Sequence, residues 1–205
     1  MNSKTHWEQV YTNKPFDTVS WFQPHDDAAL AMLDTLHLPP TTPIIDVGAG
    51  ASTFVDDLLG RGFSAVTALD ISMRAIGITK ERLGDRADSI HWIADDITRA
   101  ALPAGAFSLW HDRAVFHFMA SAEQRSAYGR ALRQALRPDG FVIMATFAED
   151  GPTQCSSLPV CRYSAGELAA ALGADFALEK HIKIHHRTPR DQVQAFTYCL
   201  FRRTH

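Results

Sequence analysis

The sequence predicts an α/β fold in which a mostly parallel sheet carries helices on both faces. Three observations support this class: short apolar runs alternate with amphipathic segments, helix-start signals precede those segments, and a glycine turn follows the first run. Alternation of this kind implies βαβ units whose crossovers lie against the sheet. At 205 residues with 46% apolar residues, the chain is long enough for one core, so we expect a single domain over residues 1–205.

Five short apolar runs predict the parallel strands. Their length and their content of branched and aromatic residues are typical of strands buried on both faces. The runs are Pro43–Val47, Ala65–Leu69, Ile90–Ala94, Ser108–His111 and Phe141–Thr146.

Serine start signals predict the helices between and after these strands. A serine side chain can accept from the free N–H groups of a first helical turn, and a glutamine or glutamate three residues later completes a capping box. The predicted helices are Ser52–Leu59, Ser72–Leu83, one from the Ser121–Gln124 box to Leu136, and one from the Ser164–Glu167 box through Leu172. The turn Arg137–Gly140 ends the third of them.

The two ends of the chain differ from its middle. Two short helices around Thr5–Tyr11 and His25–Leu36, joined by Pro15–Pro24, predict a helical lid within residues 1–40. Residues 41–147 form the predicted cofactor-binding core. Residues 148–205 are expected to hold an acceptor loop, a helix and a hairpin of Phe176–His186 with Val193–Arg202.

Composition excludes several classes of protein. The formal net charge of −3 gives no field for a polyanion, so we expect no nucleic-acid partner. No run approaches the ~18 apolar residues of a membrane span, and the polar N-terminus is unlike a secretory signal, so no membrane is expected. The 3 cysteines show no pairing pattern and suit a reducing, cytoplasmic compartment. The oligomeric state is left open.

The glycine turn after the first strand is the most informative segment. In Asp46-Val-Gly48-Ala-Gly50 a strand runs into a turn that opens a helix, where ligands of open parallel sheets bind. Thr53 interrupts the dinucleotide pattern G-x-G-x-x-G, and the Asp46 carboxylate would repel a pyrophosphate. The same carboxylate attracts an ammonium group, so a nicotinamide dinucleotide is disfavoured and S-adenosylmethionine, which carries no phosphate, is favoured.

Acidic residues after the next two strands suit the rest of that ligand. Asp70 ends the second strand and can accept from both ribose hydroxyls, and Ile71 can pack on adenine. Asp95, Asp96 and Ile97 follow the third strand, where a carboxylate can accept from the adenine amine and a backbone N–H can donate to the ring. The alternatives are that Asp46 and Asp70 merely cap helices and that Asp95 is a loop acid.

Taken together, these elements resemble the class I S-adenosylmethionine-dependent methyltransferases over about residues 43–147. The resemblance implies a Rossmann-like, doubly wound, seven-stranded sheet of order 3-2-1-4-5-7-6 with strand 7 antiparallel. It implies that Asp46, Gly48 and Gly50 hold the methionine part, with His111 beside it. It also implies Asp70 at the ribose and Asp96 with Ile97 at the adenine, and no obligatory metal. Ser52 stands where many members have glycine, and its hydroxyl is expected to cap the helix.

Acceptor residues are expected in the lid, after strand 4 and after strand 5. Trp21 is a candidate to close over the sulfonium, His117 to act as general base, Arg113 to hold an anionic acceptor and Tyr163 to line the pocket. The alternatives are that Trp21 packs the lid on the core, that Arg113 pairs with Asp112, and that His117 is an ordinary half-buried histidine.

These observations predict a methyltransferase that uses S-adenosylmethionine, releases S-adenosylhomocysteine and acts on a small molecule. Methylation of a protein lysine is an alternative and predicts an acidic groove beside Asp112. A thiol or metalloid acceptor is suggested by Cys155 and Cys161. A non-catalytic cofactor-binding protein is the alternative from a different class.

Overall fold

A seven-stranded sheet forms the centre of the molecule in the computed structural model, which describes residues 3–204. Its strands, numbered in chain order, are β1 Ile44–Val47, β2 Val66–Asp70, β3 Ile90–Ala94, β4 Phe107–Arg113, β5 Leu136–Phe147, β6 Phe176–Arg187 and β7 Val193–Arg203. Their spatial order is β3-β2-β1-β4-β5-β7-β6. Strands β1 to β5 pair in parallel, and β7 is antiparallel to β5 and β6. The predicted order and the antiparallel strand are therefore confirmed.

Within residues 3–204, six α-helices surround the sheet: α1 Ser3–Asn13, α2 Asp27–Asp34, α3 Phe54–Gly60, α4 Met73–Leu83, α5 Ala122–Ala135 and α6 Ala165–Leu172. Both predicted capping boxes are present, at Ser121 and Ser164. Helix α3 begins two residues later than expected, at Phe54, and Thr53 is its N-cap residue. The Ser52 hydroxyl still accepts from the backbone N–H of Phe54 at 3.0 Å.

Helices cover the sheet on both faces, as the doubly wound class requires. Leu33 of α2 and Leu58 of α3 pack with Ile44 and Ile143 on one face. Leu132 of α5 and Leu168 of α6 pack on the other face, in a second buried cluster. Strands β1 and β2 are buried along their whole length because helices cover both faces of the sheet there, whereas most residues of the edge strand β6 are exposed.

The N-terminal region divides differently from the prediction. Only α1 and the segment that follows it, through Asp26, lie at the carboxyl end of the sheet; we call residues 3–26 the lid. Helix α2 belongs to the core, because Ala29, Leu30, Met32 and Leu33 are buried against the sheet. Among the described residues, no helix has the length and apolar character needed to cross a bilayer.

Candidate functional site

A cavity of about 300 Å³ opens at the carboxyl ends of β1 to β4, beneath the lid. This volume lies at the small end of the ~300–1,000 Å³ range of ligand pockets. Nine of the residues singled out from sequence line it: Trp21, Gly48, Asp70, Ile71, Asp95, Asp96, Ile97, Arg113 and Cys155. The fold brings them together because parallel strands present their carboxyl ends at one edge of a sheet.

The glycine turn folds back beneath this cavity. Gly48 has φ +73°, and its N–H donates to the Leu69 carbonyl at 2.7 Å. A Cβ at Gly48 would lie 2.0 Å from Cγ2 of Val115, a residue that also lines the cavity. Gly50, at φ +48°, lies beside the Tyr11 hydroxyl and Asp70 but is not part of the cavity wall. Glycine is therefore required here by backbone conformation and by close packing.

Asp70 places a buried carboxylate at the cavity wall. Its side chain accepts from the Ser72 N–H at 2.7 Å, and the residue is only 6% exposed. Burial raises the pKa of Asp70 to about 7, although backbone N–H groups of Ser72 and Gly50 act in the opposite direction. A ligand that donates hydrogen bonds to this carboxylate stabilises its charged form.

The end of β3 brings two further acids to the same wall. Asp95 accepts from the Asp96 N–H at 2.7 Å, and Asp96 accepts from the Thr98 N–H at 2.9 Å. Both residues line the cavity and both also shape their own turn. The choice between Asp95 and Asp96 as a ligand contact stays a prediction.

Asp46 lies one layer below the cavity and does not line it. It is 2% exposed, and its Oδ1 lies 2.7 Å from Nδ1 of His111. Asp26 of the lid approaches the other ring nitrogen of His111 at 3.7 Å. Burial lowers the pKa of His111, but Asp46 and Asp26 outweigh it and raise the pKa to about 9. The Asp46 carboxylate therefore faces the His111 ring inside the protein, and the expectation that it meets a ligand directly is not supported by this placement.

A second, smaller space of about 40 Å³ adjoins the main cavity behind Tyr11 and Trp21. Its wall includes Gln23, Asp26 and Arg113, which carry buried polar atoms without partners: Gln23 Nε2, Asp26 Oδ2 and Arg113 Nη2. Ser52 also lies here and not at the main cavity. Sequence reasoning missed Asp26, which resembled an ordinary helix-capping acid and does cap α2 through the Ala29 N–H.

Arg113 stands between the two spaces and contributes to both walls. Its Nε donates to the Tyr198 hydroxyl at 2.9 Å, and its Nη1 donates to the Trp21 carbonyl at 2.8 Å. Among the described residues, the partners of Arg113 do not include Asp112, the alternative that the sequence offered. Asp112 instead accepts from the Tyr128 hydroxyl and from the backbone N–H groups of Val115 and Phe116. The guanidinium thus joins the lid to the end of β4 and leaves Nη2 buried without a hydrogen bond.

The lid closes the cavity with aromatic side chains. Trp7 makes edge contacts with Trp21 and Phe118, at centroid separations of 5.7 and 5.2 Å, and all three residues line the cavity. Glu8 holds α1 in place, since its carboxylate accepts from the N–H groups of Met73 and Arg74 at 2.7 and 3.1 Å. Sequence reasoning missed Trp7 and Phe118, because aromatic residues on a helix are equally typical of plain packing.

His117, Tyr163 and His111 do not reach the main cavity. His117 is fully buried against Phe147, and burial together with the Arg113 charge lowers its pKa to about 3. A group this buried and this weakly basic is unsuited to remove a proton from a ligand, so the role of general base is not supported. Tyr163 packs against Phe116 instead of lining the pocket.

Cys155 lines the cavity from the Gln154–Pro159 hairpin. Burial raises its pKa to about 12, so the thiol is neutral near pH 7. Within residues 3–204, no group of three or more His, Cys, Asp or Glu side chains is arranged to hold a metal ion.

Comparison with known proteins gives one family. Residues 44–140 match the methyltransferase domain family. A zebrafish (Danio rerio) eEF1A lysine and N-terminal methyltransferase is 23% identical over 154 residues, which cover 73% of this chain and 22% of the relative. A second zebrafish protein, EEF1A lysine methyltransferase 2, is 23% identical over 71% of this chain and 69% of its own length. The chain therefore spans about a fifth of the first relative.

Solved structures share the fold at low sequence identity. A chain from a study of the conversion of a disulfide bond into a thioacetal group during echinomycin biosynthesis has a TM-score of 0.78 at 18% identity, covering 99% of this chain and 92% of its own. The Burkholderia thailandensis 1,6-didemethyltoxoflavin-N1-methyltransferase, solved with 1,6-didemethyltoxoflavin and S-adenosylhomocysteine, has a TM-score of 0.76 at 19% identity, covering 98% and 87%.

Proposed function

Because the chain belongs to the class I S-adenosylmethionine-dependent methyltransferase superfamily, we propose that it transfers a methyl group from that cofactor to a small molecule enclosed in the main cavity. The observation that carries the proposal is the partial enclosure of the cavity. Carboxylates line it at the ends of β2 and β3, and the lid aromatics and the Gln154–Pro159 hairpin cover its opposite side. A compact acceptor fits such a space better than a folded protein surface does.

The cavity wall suits the nucleoside half of the cofactor. Asp70 is a buried carboxylate with capacity to accept from the ribose hydroxyls. Ile71 and Ile97 offer apolar contacts for adenine, with Asp95 or Asp96 accepting from its amine. Buried polar atoms need partners, so a ligand that supplies hydroxyl and amine donors here is favoured.

The amino-acid half is assigned to the glycine turn and the acids beneath it. Asp26 and Asp46 each keep an Oδ2 atom that is buried and makes no hydrogen bond. Asp46 faces His111, and Asp26 is shared between His111 and Arg113, so an ammonium group near Gly48 competes with these internal cations for the two carboxylates. Asp46 then acts from the layer below the main cavity, and Asp26 acts from the smaller adjoining space.

When bound, the cofactor supplies a methyl group on a positively charged sulfur, whose departure leaves a neutral thioether. The chain's own task is therefore alignment and exclusion of water. Trp7, Trp21 and Phe118 close the space from the lid side, and their ring faces favour a nearby cation. No leaving-group charge has to be stabilised.

Calorimetric titration with S-adenosylhomocysteine tests the cofactor assignment. We expect wild-type protein to bind it and Asp70→Asn to lose at least tenfold in affinity. Asp88→Asn, an exposed acid outside the cavity wall, is the matched control and should bind like wild type. Absence of binding to wild-type protein would refute the proposed function, and equal affinity in Asp70→Asn would refute the site assignment.

A protein lysine is the second candidate acceptor, favoured by the printed activities of the two zebrafish relatives. The acidic groove expected beside Asp112 is not formed by that residue, which is fully buried. Incubating the enzyme and methyl-labelled cofactor with a protein extract and, separately, with a metabolite extract distinguishes the candidates. Label in a small molecule supports the proposal, label in a protein band supports lysine methylation, and binding without any transfer indicates a non-catalytic protein.

A further inference from the structure

The acceptor side of the main cavity combines a buried cation with apolar walls. From this combination we infer that the acceptor is a small thiol that reacts as its thiolate beside the Arg113 guanidinium. The inference rests on the proposed function, whose acceptor it narrows to one chemical class. It uses the wall between the end of β4, the lid and the Gln154–Pro159 hairpin.

A suitable base is missing from this part of the wall, as far as the described residues define it. The carboxylates of the wall, Asp70, Asp95 and Asp96, follow β2 and β3, and β1 separates β2 from β4. The backbones of β2 and β4 are therefore two strand spacings apart, which corresponds to ~10 Å. Near β4 and the hairpin the ionisable groups of the wall are Arg113 and Cys155, whereas the Tyr11 hydroxyl lies on the side of Gly50 and Asp70. Arg113 is a permanent cation, and burial raises the pKa values of Tyr11 and Cys155, so both are neutral and poor proton acceptors.

An acceptor that needs a base is therefore poorly served. Alcohols and lysine ammonium groups hold their protons near neutral pH, with a lysine pKa of ~10.4. A thiol differs, because its pKa of ~8.5 falls beside an arginine and its anion forms without a dedicated base. The Arg113 and Lys14 charges act to lower the pKa of the Cys155 thiol, but burial outweighs them and raises it to about 12, because neither cation makes a hydrogen bond to that sulfur.

Arg113 supplies the charge that a thiolate requires. Its Nη2 is buried and has no partner, while Nε and Nη1 are held by Tyr198 and the Trp21 carbonyl. Asp26, at 3.6 Å from Nε, is shared with His111 and only partly offsets the guanidinium. An unpaired buried donor is costly, and an anionic ligand removes that cost.

The apolar walls favour the same chemistry. A bond forms between the thiolate sulfur and the methyl carbon, while the bond from that carbon to the sulfonium sulfur breaks and leaves its electron pair on that sulfur. An anion and a cation become two neutral thioethers, and the thiol proton has already passed to solvent. Attraction between the two reacting charges is stronger in a water-poor space, here provided by side chains such as Phe118, Met119 and Leu158.

The first test compares acceptors with the wild-type enzyme. Hydrosulfide, thiophenol and benzyl thiol are offered beside phenol and benzylamine, and methylated products are measured by mass spectrometry. We expect thiol methylation at least 100-fold faster than that of phenol or benzylamine. Without a protein base, kcat/KM should follow each thiol's own ionisation, so its inflection lies at lower pH for thiophenol than for benzyl thiol. One shared inflection, or faster methylation of phenol or benzylamine, would overturn the inference.

The second test isolates Arg113. Arg113→Met should lower kcat/KM for benzyl thiol at least tenfold and move the pH inflection of kcat, which reports the bound thiol, upward, while Arg113→Lys restores part of both. Arg130→Met, which removes an exposed cation of α5 outside the wall, is the control. Circular dichroism reports folding, and S-adenosylhomocysteine affinity shows whether Arg113 holds the acceptor or the carboxylate of the cofactor. If Arg113→Met folds but loses that affinity, Arg113 holds the cofactor's carboxylate and the inference is wrong.

The two proposals fail differently. If wild-type protein binds S-adenosylhomocysteine but methylates none of the three thiols, the thiol inference falls and the methyltransferase proposal stands. If it does not bind S-adenosylhomocysteine, the proposed function itself falls.

Discussion

Gly48→Ala tests whether the glycine turn is shaped by close packing as well as by backbone conformation. The added Cβ would lie 2.0 Å from Cγ2 of Val115 and would adopt φ +73°. A left-handed conformation costs alanine ~1–2 kcal/mol. Overpacking a buried site adds ~1–3 kcal/mol. We therefore expect a loss of ~2–5 kcal/mol in the free energy of unfolding, or ~4–20 °C in Tm at ~2–4 °C per kcal/mol for a chain of this size.

Gly62→Ala is the matched control for this substitution. Gly62 has φ +84°, but a Cβ there meets no atom within 4 Å, so only the conformational cost applies. Urea denaturation gives the difference between the two variants, and that difference is the packing cost. Val115→Ala in the Gly48→Ala background removes the clashing methyl group. It should recover the part of the free energy of unfolding that is lost through packing, but not the part that is lost through backbone conformation.

Ligand binding gives a second reading of the same experiment. Val115 lines the cavity, so displacing it should weaken S-adenosylhomocysteine binding in Gly48→Ala and leave Gly62→Ala at the wild-type affinity. Equal stability and equal affinity of the two variants would refute the close-packing argument. Failure of Val115→Ala to recover stability would place the cost elsewhere than at that methyl group.

Three further predictions concern pH and helix capping. Because burial raises the pKa of Asp70 to about 7 and hydroxyl donors favour its charged form, S-adenosylhomocysteine affinity should fall by up to tenfold per pH unit below pH 7, and Asp70→Asn should remove this dependence in calorimetric titrations. The pKa of His111 is raised from 6.5 to about 9 in the folded protein, so its stabilising contribution of ~3 kcal/mol is complete below pH 6.5 and is lost as pH rises through 9. Urea denaturation should therefore show a destabilisation by His111→Asn that shrinks between pH 7 and pH 10, and a constant difference would contradict the ion-pair account. Ser164→Ala removes the capping box of α6 and should cost ~1 kcal/mol in the same assay, whereas Ser89→Ala, an exposed position before β3, should cost less than half of that.

The fold was largely predictable because its signals are local. The local signals are apolar runs of four to six residues, capping serines and a glycine turn, and each predicts the secondary structure of adjacent residues. The order of the predicted elements along the chain then allows few topologies. The boundaries shifted where neighbours extended an element. Strand β4 continues to Arg113, beyond the predicted His111, because β5 pairs with it along this length.

The site was only partly predictable because its partners are distant in the chain. Asp46 and His111 are 65 residues apart and meet through the register of β1 with β4. Sequence reasoning identified both residues but had no means to see that each satisfies the other, with Asp26 joining from the lid. His117 was similarly ambiguous, since a short turn at Phe116–Phe118 directs its ring towards Phe147 and away from the cavity.

The contact made by Glu8 joins the entrance of the cavity to its floor. The N–H groups that Glu8 accepts belong to Met73 and Arg74, immediately after the Asp70–Ile71 corner on which we place the nucleoside. If α1 moves away to admit a ligand, the N–H groups in the first turn of α4 therefore also lose the Glu8 carboxylate as their acceptor. Ligand entry and loosening of the first turn of α4 are then coupled, and a bound ligand that holds α1 in place should slow amide exchange at positions 73 and 74, which do not themselves line the cavity.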